Sequence, residues 1–274
     1  MVIIRFFDLL YVIILGIVEG ITEWLPISST AHLLLFEEML VPLKNPLIFN
    51  DSFLEVFNVL IQLGAVIAVI VVYYKKLIPT KKDLRLSFWF KILVATIPSI
   101  IVGLLFDDYI DMLFYNMASI AIVLIFYGII FIIVDRNLKK NPRYTINYCG
   151  IKVMFLIGCF QALAVIPGTS RSGITIITAL ALGFSRTDSA DLSFYLSIPV
   201  MLGASILKIV KFNQVNVFLN SQIILLALGM ICAFVISVLV VKFLIRFVKK
   251  HGFLGFGYYR IIIGIIILIR CLLS

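Results

Sequence analysis

The stretch from Glu19 to His32 reads Glu-Gly-Ile-Thr-Glu-Trp-Leu-Pro-Ile-Ser-Ser-Thr-Ala-His, with two carboxylates, four hydroxyls and an imidazole inside a very apolar chain. Ionisable groups at membrane depth are costly and point to function. Glu19 and Glu23 are four residues apart, so on a helix they share one face. Pro26 removes a backbone donor and ends or kinks that helix. Ser28, Ser29 and Thr30 form a polar turn able to cap a second helix, whose first turn carries His32. Two carboxylates on one face can hold a hard divalent cation, because Mg²⁺ typically takes one or two carboxylates plus phosphate oxygens. A nearby hydroxyl or imidazole could then serve as nucleophile or general base.

A second polar break, Pro167-Gly168-Thr169-Ser170-Arg171-Ser172-Gly173, lies far along the chain. Its two glycines allow a sharp turn and close approach to a ligand. The helix that follows offers free N–H groups to an anion, Arg171 adds a planar fork matched to phosphate, and Ser170, Ser172 and Thr175 add hydroxyls. Gly168 and Thr169 join these as candidate substrate contacts, as do Ser28, Thr30 and Gln62, a lone polar residue in an apolar run. Each feature has a plainer reading. Arg171 could pair with a carboxylate after a capped helix start. Glu19 and Glu23 could pair with Arg171 or Arg260 without catalysis. His32 could be a satisfied core histidine, and Gln62 could bond between helices. His251, beside Lys249 and Lys250, reads as surface.

These groups must be positioned by membrane helices. The chain has 274 residues, 63% of them hydrophobic, where soluble domains run nearer 45–50%. Cys149, Cys159, Cys232 and Cys271 form no paired motif and report no redox compartment. The first apolar run passes straight into the Glu19 motif, so it does not read as a cleavable signal. The net charge of +9 gathers at span ends, which marks topology and argues against nucleic acid.

An apolar helix interrupted by Glu19 and Glu23 is predicted over residues 6–25 and a short one over 31–41, then spans over 54–74, 87–105 and 117–134, with an acidic loop at 106–116 holding Asp107, Asp108 and Asp111. The pattern returns as an apolar helix carrying Gln161 over 153–166 and a short one over 174–184, then spans over 193–210, 222–241 and 256–273. The short second helix of each pair cannot cross about 30 Å of hydrocarbon, so each pair reads as a re-entrant hairpin with its tip buried in protein. Basic loops at 75–85, 135–152 and 242–252 go to the cytoplasm by the positive-inside rule. The first hairpin then enters from outside and the second from the cytoplasm. The expected fold is one all-α polytopic membrane domain over 1–274, an inverted-topology repeat with halves about 1–140 and 141–274 and a site at the repeat interface. Gly16-x-x-Glu19 answers Gly158-x-x-Gln161, and Pro26 with Ser28 answers Pro167 with Ser170.

The run Leu15 to Thr30 with His32, together with Pro167 to Gly173, closely resembles the undecaprenyl-diphosphate phosphatase family of bacterial inner membranes, the family linked to bacitracin resistance. The resemblance covers the whole chain, including Ile61-Gln62-Leu63-Gly64, the segment Ser193-Phe194 to Pro199, and Tyr259-Arg260. It implies removal of one phosphate from the C55 isoprenoid diphosphate, recycling the lipid carrier of cell-wall sugars. It also implies a divalent cation, Mg²⁺ or Ca²⁺, and a site open to the periplasmic face. The family's acidic motif falls on Glu19 and Glu23, its serine and histidine on Ser29 and His32, and its phosphate arginine on Arg171. Ala31 stands where the family usually has glycine. The implied partners are the lipid substrate and the bilayer, with a homodimer left open. Residues and resemblance agree on Ser29 or water as attacker, with His32 moving the proton. An inverted repeat with a charged centre is also transporter architecture, and a non-catalytic lipid-phosphate receptor is a third reading.

Overall fold

The computed structural model describes residues 3–78, 82–138, 142–146 and 148–273; Lys81, Lys139 and Lys140 of the expected basic loops lie outside them. In hydrocarbon a segment must satisfy its own backbone, and a helix does so residue by residue. Ten α-helices and no β-strand are present among the described residues: α1 (Phe6–Thr22), α2 (Ser29–Met39), α3 (Asp51–Leu77), α4 (Lys82–Phe114), α5 (Met117–Arg136), α6 (Ile151–Gln161), α7 (Arg171–Leu182), α8 (Arg186–Val215), α9 (Asn220–His251) and α10 (Leu254–Leu273). Six of them, α3, α4, α5, α8, α9 and α10, are long and apolar enough to cross a membrane. With 11 and 12 residues, α2 and α7 reach only about 16–18 Å at the helical rise.

Several helices run further than the hydropathy pattern predicts. The expected acidic loop is helical, since α4 continues to Phe114 and carries Asp107, Asp108 and Asp111 on its last turns. The reason is pairing across to α8. Lys208 meets Glu55, Asp107 and Asp111, and Lys211 meets Asp107 and Asp108. Carboxylates neutralised in this way need no loop in water. Likewise α9 continues to His251 and carries Lys242, Arg246, Lys249 and Lys250 on helix, where cations near the C-terminus suit the helix dipole.

In the packing, α1 and α3 lie against α9, α6 and α8 against α4, α5 against α10, and α7 against α8. Two contacts demand glycine. A Cβ at Gly16 would strike the backbone of Gly229 on α9, and one at Gly158 would strike the backbone of Ala95 on α4. These small residues bring α1 and α6 close to the long helices, as in membrane helix pairs. One buried cluster joins Trp24, Tyr73, Phe131 and Phe194; another joins Tyr11, Phe49, Phe53 and Phe57. Exposed apolar side chains cover the outside instead, for example Ile231, Val235, Leu239 and Phe243 at four-residue spacing on α9. That stripe faces lipid, which solvates it as well as protein would.

Candidate active site

Two breaks in the helices build the site. Glu23 caps α1, its N–H bonded to Glu19 O at 3.0 Å, so both carboxylates lie on one face, a turn apart. After the turn at Trp24 to Ile27, Ser28 has φ 75° and caps α2. In the second break Gly168 has φ 91° and Ser170 has φ 70°. Ser170 caps α7, its Oγ accepting from Gly173 N at 3.1 Å. Ser28 and Ser170 are the only non-glycine residues with positive φ among the described residues. Backbone in that region is strained, and here it aims the starts of α2 and α7 into one space.

Arg260 on α10 fixes the breaks to each other. Its guanidinium is fully buried and donates to Pro26 O at 3.2 Å, Gly168 O at 2.8 Å, Thr169 O at 3.0 Å and Leu124 O at 3.4 Å. Of the two arginines that could have paired with the carboxylates, Arg171 meets Glu23 and Arg260 does not. Arg260 satisfies carbonyls of the two turns, Pro26, Gly168 and Thr169, which would otherwise be unpaired in a water-poor interior. Ser172 Oγ adds a second tie, reaching Glu23 O at 3.0 Å or Leu25 O at 3.3 Å.

Glu23 is the hub. Its Oε2 accepts from Ser29 Oγ at 2.6 Å and its Oε1 from Arg171 Nη2 at 2.8 Å. Arg171 also donates through Nη1 to Ser193 O at 2.8 Å and Ser193 Oγ at 3.3 Å, and lies over the Trp24 ring at 5.7 Å. Its Nε is buried with no hydrogen-bond partner. Glu19 is fully buried, and neither carboxylate oxygen has a partner. His32 is held at both nitrogens, Nδ1 on Ser28 O at 2.7 Å and Nε2 on Tyr259 OH at 2.8 Å.

A cavity of about 390 Å³ opens from this hub. Glu23, Ser28, Ser29, Thr30, Gln62, Gly168, Ser170 and Arg171 line it, and Glu55, Asp107, Asp111 and Lys208 line its far part. Glu19, His32, Thr169, Ser172 and Thr175 stand behind the wall. Thr175 Oγ1 lies 2.8 Å from Arg171 O and 3.2 Å from Gln161 Oε1, and Gln161 in turn donates to Ser99 on α4 at 3.2 Å. Sequence reasoning missed Tyr259 as the partner of His32, and Lys208 with its carboxylates as part of the cavity. The signal for Tyr259 was its place beside a buried arginine; for Lys208 it was a lysine inside the span expected over 193–210.

A family model described as bacitracin resistance protein BacA matches residues 12–266. The chain belongs to the BacA family. Among its curated relatives, one from Acetivibrio thermocellus is 50% identical over 96% of this chain and 97% of the relative. Another from Enterococcus faecalis is 47% identical over 96% of this chain and 97% of the relative. A third from Streptococcus suis is 46% identical over 97% of this chain and 98% of the relative. Each is named undecaprenyl-diphosphatase. In this BacA-family chain the match covers both breaks and Arg260, so it spans the whole hub described above.

The hub can also be tested against a divalent cation. Among the described residues no three His, Cys, Asp or Glu side chains converge as a ready-made metal cage. The pair Glu19 and Glu23 nevertheless fits the partial protein shell that suits Mg²⁺, whose other ligands are phosphate and water. Glu19 offers two buried oxygens without partners, an arrangement that is expensive for an ionised carboxylate standing alone. The Glu23 oxygens, each with one hydrogen bond, retain lone pairs to share.

Proposed function

We propose that this chain is a membrane phosphatase that hydrolyses undecaprenyl diphosphate to undecaprenyl phosphate and inorganic phosphate, recycling the lipid carrier for cell-wall synthesis. The observation that carries the mechanism is the hydrogen bond of 2.6 Å from Ser29 Oγ to Glu23 Oε2. It joins a hydroxyl nucleophile to a base within reach. Ser29 Oγ attacks the terminal phosphorus, the bond to the bridging oxygen breaks, and undecaprenyl phosphate leaves. The Ser29 proton passes to Glu23. Water then attacks the phosphoserine phosphorus, the bond to Ser29 Oγ breaks, Glu23 returns its proton to Ser29, and phosphate leaves carrying the water's oxygen and protons.

Arg171 stabilises the transferring phosphoryl group. Ser193 and Glu23 hold its fork in place, and its unspent Nε–H is preorganised for an oxygen carrying developing charge. Glu19 and Glu23 would hold the divalent cation, which when bound neutralises phosphate charge. His32 fixes the Ser28 turn and is the second group able to carry a proton, its Nε2 linked to Tyr259 OH.

The packing supports an inverted repeat of two re-entrant hairpins, each followed by three spans. The contact of α1 with α9 answers that of α6 with α4, and α3 with α9 answers α8 with α4. Ser28 and Ser170 answer each other in backbone and in role. We place the protein in the bacterial inner membrane with its basic helix ends cytoplasmic and its cavity facing outward.

The test is phosphate release from undecaprenyl diphosphate by purified protein in detergent, with and without chelator. Detergent offers no second compartment, so release there is hydrolysis and not transport. Chelator-sensitive release with a trappable phosphoserine is the expected result. Binding of the lipid without turnover would refute the reading.

A further inference from the structure

A second cleft, of about 280 Å³, lies between the last turn of α3 and the basic part of α9. Lys75 and Lys76 line it from α3, Lys242 and Arg246 from α9, and Val72 and Ile245 are among its apolar walls; no carboxylate lines it. Lys76 is accounted for, bonded to Asp191 at 2.7 Å and lying over the Tyr73 ring at 4.7 Å. That leaves Lys75, whose ammonium lies 5.7 Å from the centre of the Tyr74 ring, together with Lys242 and Arg246 in a cleft whose wall has no acidic residue. Lys242 and Arg246 are one helical turn apart, so both project from the same face of α9. Glu55 in the catalytic cavity and Lys75 in this cleft stand near opposite ends of α3, about 30 Å apart by helical rise. The cleft is therefore separate from the hydrolytic site.

We infer that this cleft binds the headgroup of an anionic phospholipid. Charge selects a phosphate: three cations around a small cleft suit a phosphodiester. The surroundings select a lipid over free phosphate. Toward the middle of the bundle the flanks are exposed and apolar, with Val71 on α3 and Leu239 on α9, while the exposed rings of Tyr74 and Phe243 stand level with the cations. Acyl chains would lie along these flanks while the phosphate sits among the cations. Basic pockets between spans recognise anionic headgroups by this combination.

The experiment uses the full chain in detergent, stripped of lipid and titrated with dioleoyl phosphatidylglycerol under native mass spectrometry, with phosphatidylcholine and inorganic phosphate as comparison probes. Removing a juxtamembrane charge weakens anionic lipid binding roughly fivefold, so K242Q/R246Q should raise the phosphatidylglycerol Kd about thirtyfold. K249Q/K250Q removes the same charge from the same helix end outside the cleft and should stay close to wild type. Phosphate release by both double variants should match wild type, which certifies their folding. Equal weakening in the two pairs would mean a diffuse basic field and overturn the site, as would no weakening in the first pair. Displacement of the lipid by millimolar inorganic phosphate, or equal binding of phosphatidylcholine, would overturn the choice of ligand.

Discussion

Arg171→Lys separates a phosphate grip from a mere counter-ion. The arginine divides its donors three ways: Nη2 to Glu23 at 2.8 Å, Nη1 to Ser193 O at 2.8 Å, and an Nε–H spent on nothing. Lysine keeps the charge on a flexible stem but has no rigid planar fork. Its ammonium can take over the Glu23 pairing, and the remaining geometry is lost. If Arg171 only neutralises Glu23, the variant should work within a few-fold of wild type. If the fork serves the phosphoryl group, one preorganised contact disappears, which costs about 10²–10³ in kcat, or about 2.7–4 kcal/mol. The loss should fall on kcat more than on KM, because the fork fits the transition state best. The assay is phosphate release from a short-chain isoprenoid diphosphate by protein that elutes as a folded species in gel filtration. Arg171→Ala is less informative, since it strands the buried Glu23 and could destabilise the fold by about 3–5 kcal/mol. A Lys variant close to wild type in both constants would refute the grip and return Arg171 to a structural ion pair.

Ser29→Ala should lose nearly all turnover, and label from the terminal phosphate should be trapped on wild-type protein but not on the variant; near-normal release by the variant would give the attack to water. His32→Ala should lower turnover across neutral pH, and full activity throughout that range would remove His32 as an essential proton carrier. Glu19→Gln should abolish turnover yet leave the melting temperature in chelator unchanged or raised, because it deletes a buried carboxylate without a partner; near-normal, cation-dependent hydrolysis would rule out the ligand role. Arg260→Met should lower both melting temperature and turnover, since it strips donors from the carbonyls of Pro26, Gly168 and Thr169, each such loss costing about 1–3 kcal/mol when buried. An unchanged melt would show that the two breaks hold together without it.

What the sequence determined by itself was whatever depends on local spacing and on solvent. Hydrocarbon leaves a single chain little choice but helix, so the six spans were legible from composition. Glu19 and Glu23 share a face because four residues make about one turn. Ser28 and Ser170 were readable as caps because each follows a helix-breaking proline by two or three residues. Partners far apart in sequence were decided only by tertiary structure. Glu23 and Arg171 meet across 148 residues, and His32 and Tyr259 across 227. Spacing placed Ser29 near both Glu23 and His32, and packing gave its hydrogen bond to Glu23. Arg260 was one possible counter-ion for the carboxylates and instead serves carbonyls, because the two turns inside the bundle hold acceptors that only a nearby donor can satisfy. Asp107, Asp108 and Asp111 looked like a loop and proved helical, because Lys208 and Lys211 meet them on a neighbouring helix. Periodicity reports which face a residue occupies; which residue faces it is fixed when helices from distant parts of the chain pack together.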